Sequence, residues 1–152
     1  MKVAVGSDDN YSIAMFIVEE LKKRGVEVIP IGSLSTGNPY PWVKVGLEVA
    51  ELVARGEVDM GIVICYTGTG VSIAANKVCS VRAALCFDAK TARGARLWND
   101  ANVLALSARL LSEEVAREIL DEWFSVAKPD PSELGNIEEL KRFDEETRKS
   151  KP

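Results

Sequence analysis

The sequence predicts an α/β fold of three layers, in which helices cover both faces of a five-stranded parallel sheet in a doubly wound, Rossmann-like domain. Five short apolar runs alternate with stretches that carry apolar residues at helical spacing. This alternation is typical of parallel strands that are buried on both faces. Crossovers between parallel strands are right-handed, which allows the helices to cover both sides. The 152 residues are enough for one such domain.

The elements follow from the periodicity of the apolar residues and from the turn formers between them. Strands are predicted at 2–6, 26–31, 59–65, 81–87 and 102–106. Helices are predicted after each strand, with Asp8–Asn10, Asp88 and Ser112 as N-caps of the first, fourth and fifth helices. Residues 32–41 have the composition of a loop, and the second helix is predicted from about Trp42 to Arg55.

The composition changes after Lys128, which divides the chain into an α/β domain at 1–128 and a charged tail at 129–152. Pro129-Asp-Pro131 breaks the preceding helix. Leu134, Ile137 and Leu140 have the spacing of a short helix, which we expect to dock on a partner subunit.

Charge and composition exclude several functional classes. The net charge of -4 argues against a nucleic-acid or anionic-membrane binder, and no apolar run is long enough to span a bilayer. The start of the chain lacks the pattern of a signal peptide. The three cysteines lack metal-ligand spacing and are expected to be free thiols in a reducing cytoplasm. We expect neither a metal ion nor a cofactor.

The stretch Gly61-Ile-Val-Ile-Cys-Tyr-Thr-Gly-Thr-Gly-Val-Ser-Ile-Ala-Ala-Asn-Lys77 carries the main chemical signal. It predicts a strand, a glycine turn and a helix, with Cys65 at the strand end where α/β sheets bind ligands. Backbone N–H groups at such a turn stabilise anions and thiolates. A dinucleotide fingerprint is disfavoured because Ile73 occupies its third glycine position. A turn that merely packs the helix on the strand is the structural alternative, and an inert buried thiol is the less favoured alternative for Cys65.

The block Ile64–Lys77 resembles the active-site signature of the ribose-5-phosphate isomerase B family, which also contains the galactose-6-phosphate isomerase subunits. Further segments agree in order over residues 1–127: Val5-Gly-Ser-Asp8, Tyr40-Pro41, Gly56–Gly61, Val81-Arg-Ala-Ala, Asn99–Leu104 and Ser107-Ala-Arg109. The resemblance implies aldose–ketose isomerisation through a cis-enediolate, in an active site shared across a homodimer, with a tetramer as a further option.

The resemblance also implies roles for individual residues. Cys65 is similar to the base that moves a proton between C1 and C2, and Thr67 with the N–H groups up to Gly70 is similar to the oxyanion cradle. Asp8 resembles the residue that assists proton transfer between oxygens. The implied substrate contacts are Asp9, Tyr40, Gly68, Thr69, Gly70, Trp98, Asn99 from the partner subunit, and Arg109 near a phosphate.

The chain departs from the family pattern at positions that bear on the substrate. Asp9 stands where the family has histidine, and Trp98 stands where it has a ring-opening histidine; the chain contains no histidine. The two tail arginines of the family align loosely with Ser132 and Asn136, and Lys128, Lys141 or Arg142 could replace them. Arg93 and Arg96 are expected on a solvated or interface face and are kept as reserve anion contacts.

These departures favour a substrate other than ordinary ribose 5-phosphate. An indole cannot shuttle protons as imidazole does, and Asp9 would repel a phosphate dianion. A substrate that needs no enzymatic ring opening is therefore expected: a four-carbon sugar or sugar phosphate, or a sugar without a terminal phosphate. The competing hypotheses are a non-catalytic subunit of a hetero-oligomeric isomerase, a sugar-binding regulator, and, disfavoured, a nucleotide-binding module.

Overall fold

The computed structural model describes residues 1–149, which form a five-stranded parallel sheet flanked by helices. The strands are β1 Lys2–Ser7, β2 Glu27–Gly32, β3 Met60–Cys65, β4 Ala83–Leu85 and β5 Val103–Ser107. The α-helices are α1 Ser12–Lys23, α2 Ser33–Thr36, α3 Trp42–Ala54, α4 Thr69–Ala75, α5 Ala89–Asn99, α6 Glu113–Ser125 and α7 Leu134–Lys149, with a 3₁₀ turn at Pro131–Glu133. The three-layer α/β prediction is confirmed.

The sheet order β2-β1-β3-β5-β4 places the switch in connection direction between β1 and β3. One face of the sheet packs on α1, α5 and α6, and the other packs on α3 and α4. Because β1 leads into a helix on one face and β3 leads into a helix on the other, a crevice opens at the carboxyl ends of these strands. The register aligns Ser7 with Ile64 and Cys65 with Ser107 at that edge.

Several predicted boundaries are confirmed and several are wrong. The caps at Asp88 and Ser112 form as predicted, because each side chain accepts from the N–H group three residues on. The predicted cap at Asp8–Asn10 is wrong: α1 begins after Tyr11, and no side chain caps it. The backbone of Asp8 instead donates to Ile64 O and accepts from Tyr40 N, which keeps residue 8 outside the helix.

Two further predictions need correction. The loop predicted at 32–41 contains the single-turn helix α2, in which Ser33 is buried and donates its hydroxyl to Asp9 O. The fourth strand is shorter than the range 81–87, because β4 is an edge strand that pairs with β5 alone and only over residues 83–85.

Arg96 is buried rather than solvated. Its guanidinium donates to Ala101 O at 2.6 Å and to Val126 O at 3.2 Å, and it lies 5.5 Å from the centre of the Trp123 ring. Burial lowers the pKa of Arg96. The side chain therefore joins the loop after α5 to the end of α6, and it is not a reserve anion contact.

The tail forms a longer helix than the sequence indicated. Helix α7 covers 16 residues, buries Ile137, and contacts the body of its own chain through Lys141–Asp100 and Asp144–Ser80. Its side chains Leu134, Leu140 and Phe143 remain largely exposed. Residues 150–152 of the predicted tail lie outside the described part of the chain.

Candidate active site

A cleft of about 270 Å³ lies at the carboxyl ends of β1 and β3. The sequence-predicted residues that it brings together are Asp8, Cys65, Thr67, Thr69 and Gly70. Gly68 lies within the same turn, in the segment between β3 and α4. The position follows from the topology, since the first βα loop and the third meet only at the switch point.

Cys65 ends β3 with its sulfur almost covered. The residue is 6% exposed, and the Gly68 N–H group donates to Cys65 Sγ at 3.2 Å. The carbonyl of Cys65 accepts from Ala108 N at 3.0 Å, which extends the pairing with the segment after β5. The thiol is therefore held on a short, rigid element, and one N–H donor of the predicted cradle is directed at the sulfur.

Gly68 is required by its surroundings. Its φ is +78°, and a Cβ atom at this position would lie 2.6 Å from Leu85 Cδ1 and 2.9 Å from the backbone carbon of Leu106. Glycine is the residue that tolerates both the left-handed conformation and the close approach. The turn over β5 is what aims the Gly68 N–H group back at the sulfur.

The hydroxyls of Thr67 and Thr69 form a pair beside the sulfur. Their Oγ1 atoms are 2.7 Å apart, and either can be the donor. Both residues line the cleft and are largely exposed. A hydroxyl that donates to one partner can still accept from another, so this pair can offer either function to a bound sugar oxygen.

Asp8 follows β1 and brings a carboxylate to the cleft, beside the end of β3 that carries Cys65. Burial raises its pKa, interaction with the Tyr11 hydroxyl lowers it, and the charge of Asp9 raises it. Its Oδ1 atom is buried and has no hydrogen-bond partner among the described residues. Burial, Asp8, Asp9 and Cys65 all raise the pKa of Tyr11. The phenol therefore stays protonated beside the carboxylate.

Asp9 and Tyr40 lie next to the cleft without lining it. The Asp9 side chain is exposed and accepts from the Asn10 N–H group at 2.8 Å. The Tyr40 hydroxyl donates to Glu48 at 2.6 Å, while its N–H group donates to Asp8 O at 2.9 Å. Tyr40 thus secures the backbone at Asp8.

The other three predicted contacts lie apart from the cleft or at its margin. Trp98 and Asn99 line a separate cavity of about 560 Å³ along α5. Arg109 is exposed, and its N–H group donates to Tyr66 O at 2.9 Å, which places its backbone beside the Cys65 loop. The geometry of a single chain therefore does not bring Trp98 and Asn99 together with Cys65.

Sequence reasoning missed three aromatic residues of the site. Trp42 and Tyr66 line the cleft, and Tyr11 faces Asp8 and Cys65. The available signal was their position, because Tyr66 follows Cys65 directly and Tyr11 lies in the first βα loop. Trp42 follows Tyr40-Pro41 at the start of α3, where the sequence pattern indicates a helix but not a cleft wall.

Cys86 is buried, and burial raises its pKa to about 12, which keeps the thiol protonated. Over residues 1–149, no helix is both long and apolar enough to cross a membrane. Within the same residues, no group of three or more histidine, cysteine or acidic side chains could hold a metal ion.

The chain matches the Ribose/Galactose Isomerase family over residues 3–143. It is 44% identical to ribose-5-phosphate isomerase B of Escherichia coli K12, covering 80% of this chain and 82% of that protein. It is 37% identical to D-erythrulose-4-phosphate isomerase 2 of Mycolicibacterium smegmatis, covering 83% and 85%. The galactose-6-phosphate isomerase subunit LacB of Clostridium acetobutylicum is 40% identical, covering 95% and 83%.

Among solved structures, the ribose-5-phosphate isomerase B of Clostridium thermocellum superimposes with a TM-score of 0.89 at 40% sequence identity. The alignment covers 97% of this chain and 99% of that chain, so it includes the sheet, the cleft and most of α7. The agreement in sequence and in structure extends over both strand ends that build the cleft. The chain belongs to the ribose/galactose isomerase family and is an aldose–ketose isomerase of the sugar-phosphate isomerase type.

Proposed function

We propose that the chain isomerises a short sugar phosphate or sugar through a cis-enediolate, with Cys65 as the base. The observation that carries this proposal is the contact of Gly68 N–H with Cys65 Sγ inside a cleft that also holds Asp8 and the Thr67–Thr69 hydroxyl pair. A donor directed at sulfur stabilises the thiolate, which is the form that accepts a proton.

The reaction needs one proton transfer between carbons and one between oxygens, and each is assigned to one side of the cleft. The Cys65 thiolate removes the proton from C2 of the aldose and returns it to C1. Asp8, as a carboxylate, takes the proton of the C2 hydroxyl and delivers it to the oxygen on C1. Thr67 donates to an oxygen on which charge develops, which stabilises the enediolate. Each proton that leaves the substrate is returned, so the enzyme ends in its starting state.

The proposed substrate is a four-carbon sugar phosphate, with a sugar that lacks the terminal phosphate as the other option. A four-carbon sugar phosphate cannot close the usual stable ring through a terminal hydroxyl, because phosphate blocks that hydroxyl. Trp98, which stands in the place of a ring-opening histidine, would then not impair turnover, because such a substrate has no ring to open. One observation supports this choice: two relatives are named D-erythrulose-4-phosphate isomerases, at 37% and 35% identity.

Solvent-deuterium exchange tests the reaction. Aldoses and ketoses of four to six carbons, with and without phosphate, are incubated in D₂O, and label at C1 and C2 is read by NMR. We expect exchange with a four-carbon substrate that Cys65→Ala lowers by roughly a hundredfold to ten-thousandfold. Cys79→Ala is the matched control, since Cys79 lies outside the cleft. Full activity of Cys65→Ala contradicts the base, and normal ribose 5-phosphate turnover without tetrose turnover contradicts the substrate.

The proposal includes a homodimer in the cytoplasm. Asn99 lines a cavity on another part of the surface, so a partner subunit would have to supply it to the Cys65 cleft. Phe87, Trp98 and Leu110 are about half exposed, as apolar residues of an interface are in an isolated chain. We further propose that α7 docks on the partner through its exposed apolar residues. A reducing compartment keeps Cys65 a free thiol.

A second candidate is a subunit of a hetero-oligomeric isomerase. The observation that favours it is the LacB relative, which matches 95% of this chain and therefore includes the tail. Co-purification of tagged chain from its own cells separates the two candidates: a stoichiometric second family member favours the hetero-oligomer, whereas activity of the purified chain alone contradicts it.

A further inference from the structure

Two aromatic side chains, Trp42 and Tyr66, line the cleft. Trp42 is 48% exposed, and its indole packs against the backbone of Gly70 at the start of α4. A Cβ atom on Gly70 would lie 2.8 Å from Cε3 and 3.0 Å from Cδ2 of the ring. The indole therefore lies directly on the turn that carries the Thr67–Thr69 pair.

This contact fixes the ring in place. Trp42 is the first residue of α3, and Pro41 before it restricts the backbone on entry to the helix. The helix itself packs closely on the sheet, because Val45 and Val49 contact the strands at Gly6. A ring that is anchored by its helix and seated on Gly70 cannot swing away without losing the contact.

The ring also determines how much room remains beside Cys65. The indole lines the same cleft of about 270 Å³ as Asp8 and Cys65. The indole is the largest side chain in the lining. Its removal would lengthen the cleft along Gly70 while leaving Asp8, Cys65 and Thr67 unchanged.

We propose that Trp42 is the specificity-determining residue of this site, and that its indole limits the substrate to four carbons by closing the cleft over Gly70. This inference rests on the proposed sugar-phosphate chemistry of the cleft. The apolar ring face suits the C–H groups of a sugar chain, whereas the hydroxyl pair and Asp8 suit its oxygens.

Binding and turnover are measured separately to test the inference. The ligands are two sugar alcohol phosphates, erythritol 4-phosphate and ribitol 5-phosphate, which cannot react because they lack a carbonyl group. Their dissociation constants are determined by calorimetry for the wild type, Trp42→Ala and Trp42→Phe. Val43→Ala is the matched control, because Val43 is the next residue of α3, is similarly exposed, and does not line the cleft.

We expect Trp42→Ala to shift the affinity ratio towards the five-carbon ligand by about tenfold or more, with a smaller shift in Trp42→Phe and none in Val43→Ala. An unchanged ratio in Trp42→Ala overturns the inference, as does failure of the wild type to bind either ligand. Turnover of the matching aldose phosphates reports on the proposed function alone. A shifted affinity ratio without turnover contradicts the proposed function and leaves the inference about Trp42 standing. Turnover with an unchanged affinity ratio supports the proposed function and overturns the inference about Trp42.

Discussion

Opposing influences act on the pKa of the Asp8 carboxyl group, with a net increase, and the Tyr11 hydroxyl is one that lowers it. Burial raises the pKa of Asp8 and the Tyr11 hydroxyl lowers it, while Asp9 is the charged neighbour that raises it further. A carboxyl with a raised pKa binds its proton at a higher pH than in the unfolded chain. Ionising the Asp8 carboxyl in the folded state costs free energy. This cost is absent at low pH and lowers the free energy of unfolding as the pH rises through the raised pKa.

Replacing Tyr11 with Phe should raise the pKa of Asp8 further, because the hydroxyl that stabilises the carboxylate is lost. Titration of the side-chain carboxyl by ¹³C NMR measures the shift. Asp130 is an internal reference, since its pKa is lowered by the Ser132 N–H group far from the cleft. If Asp8 acts as a carboxylate, the acid limb of the rate profile moves to higher pH by the same amount. An unmoved Asp8 titration contradicts the assignment to Tyr11.

Gly68 offers a second test at the level of one residue. Gly68→Ala should lower the free energy of unfolding by about 2–5 kcal/mol, because left-handed strain adds to the clash with Leu85 and Leu106. Gly37→Ala is the matched control: its φ is +77° but no atom lies within 4 Å of the added Cβ, so strain alone of about 1–2 kcal/mol applies. Urea denaturation measures both. Equal losses would show that the close approach is unimportant.

At the scale of elements, Arg96 and Arg93 show how similar sequence positions acquire different roles. Arg96 is buried and donates to two carbonyls, whereas Arg93 is half-exposed and pairs with Glu122 at 3.2 Å. Arg96→Lys should lower the free energy of unfolding by about 2–4 kcal/mol, because one ammonium cannot reproduce both bonds of the planar fork.

The matched substitution Arg93→Lys should change stability by less than about 1 kcal/mol, since an exposed pair contributes little. Thermal or urea unfolding of the two variants gives the comparison. Similar losses at positions 93 and 96 would contradict the structural role of Arg96 between α5 and α6.

The same pair shows what the sequence could and could not predict. Helical spacing predicted α5 correctly, but the partners of Arg96 are backbone carbonyls of Ala101 and Val126, which no side-chain pattern reveals. Strands β1, β3 and β5 are predicted well because they are buried and consist of continuous apolar runs. The edge strand β2 is only partly buried, and its position follows from the apolar run after Gly25. The edge strand β4 is shorter than predicted because the apolar residues Val81, Cys86 and Phe87 flank it, whereas its register with β5 covers only residues 83–85.

The candidate site also contains residues that the sequence predicts and residues that it does not. Cys65, Thr67 and Thr69 lie within five consecutive residues, so their proximity could be predicted from a strand followed by a turn. Trp42 reaches the cleft from α3 and Tyr11 from the N-terminus of α1, through packing that local patterns do not encode. The prediction of Asp8 depended on the family resemblance rather than on periodicity.

For the whole molecule, the shared-site proposal predicts complementation between inactive variants. Cys65→Ala and Asn99→Ala are each expected to be inactive, but subunit exchange should place one intact site in every mixed dimer. Random exchange makes half of the dimers mixed, so activity should recover to about a quarter of the wild-type value in this isologous arrangement. The measurement is turnover after mild unfolding and joint refolding of the two variants.

Two controls define that experiment. When a Cys65→Ala, Asn99→Ala double variant is refolded with an equal amount of wild type, every mixed dimer lacks an intact site, so activity should fall to about half of that of the wild type present. Light scattering reports the oligomer formed. No recovery in a mixture shown to contain mixed dimers would contradict a site shared across subunits.

The central position of β3 has a consequence for how the chain acquires its activity. β3 pairs with β1 on one side and with β5 on the other, so the strand that holds Cys65 is ordered by segments both far before and far after it. The turn that aims Gly68 at the sulfur also rests on Leu106 of β5. A nascent chain that has not yet added β5 therefore has no formed cleft. Activity should therefore not appear before β3 has paired with β5, and no partly folded chain should convert substrate.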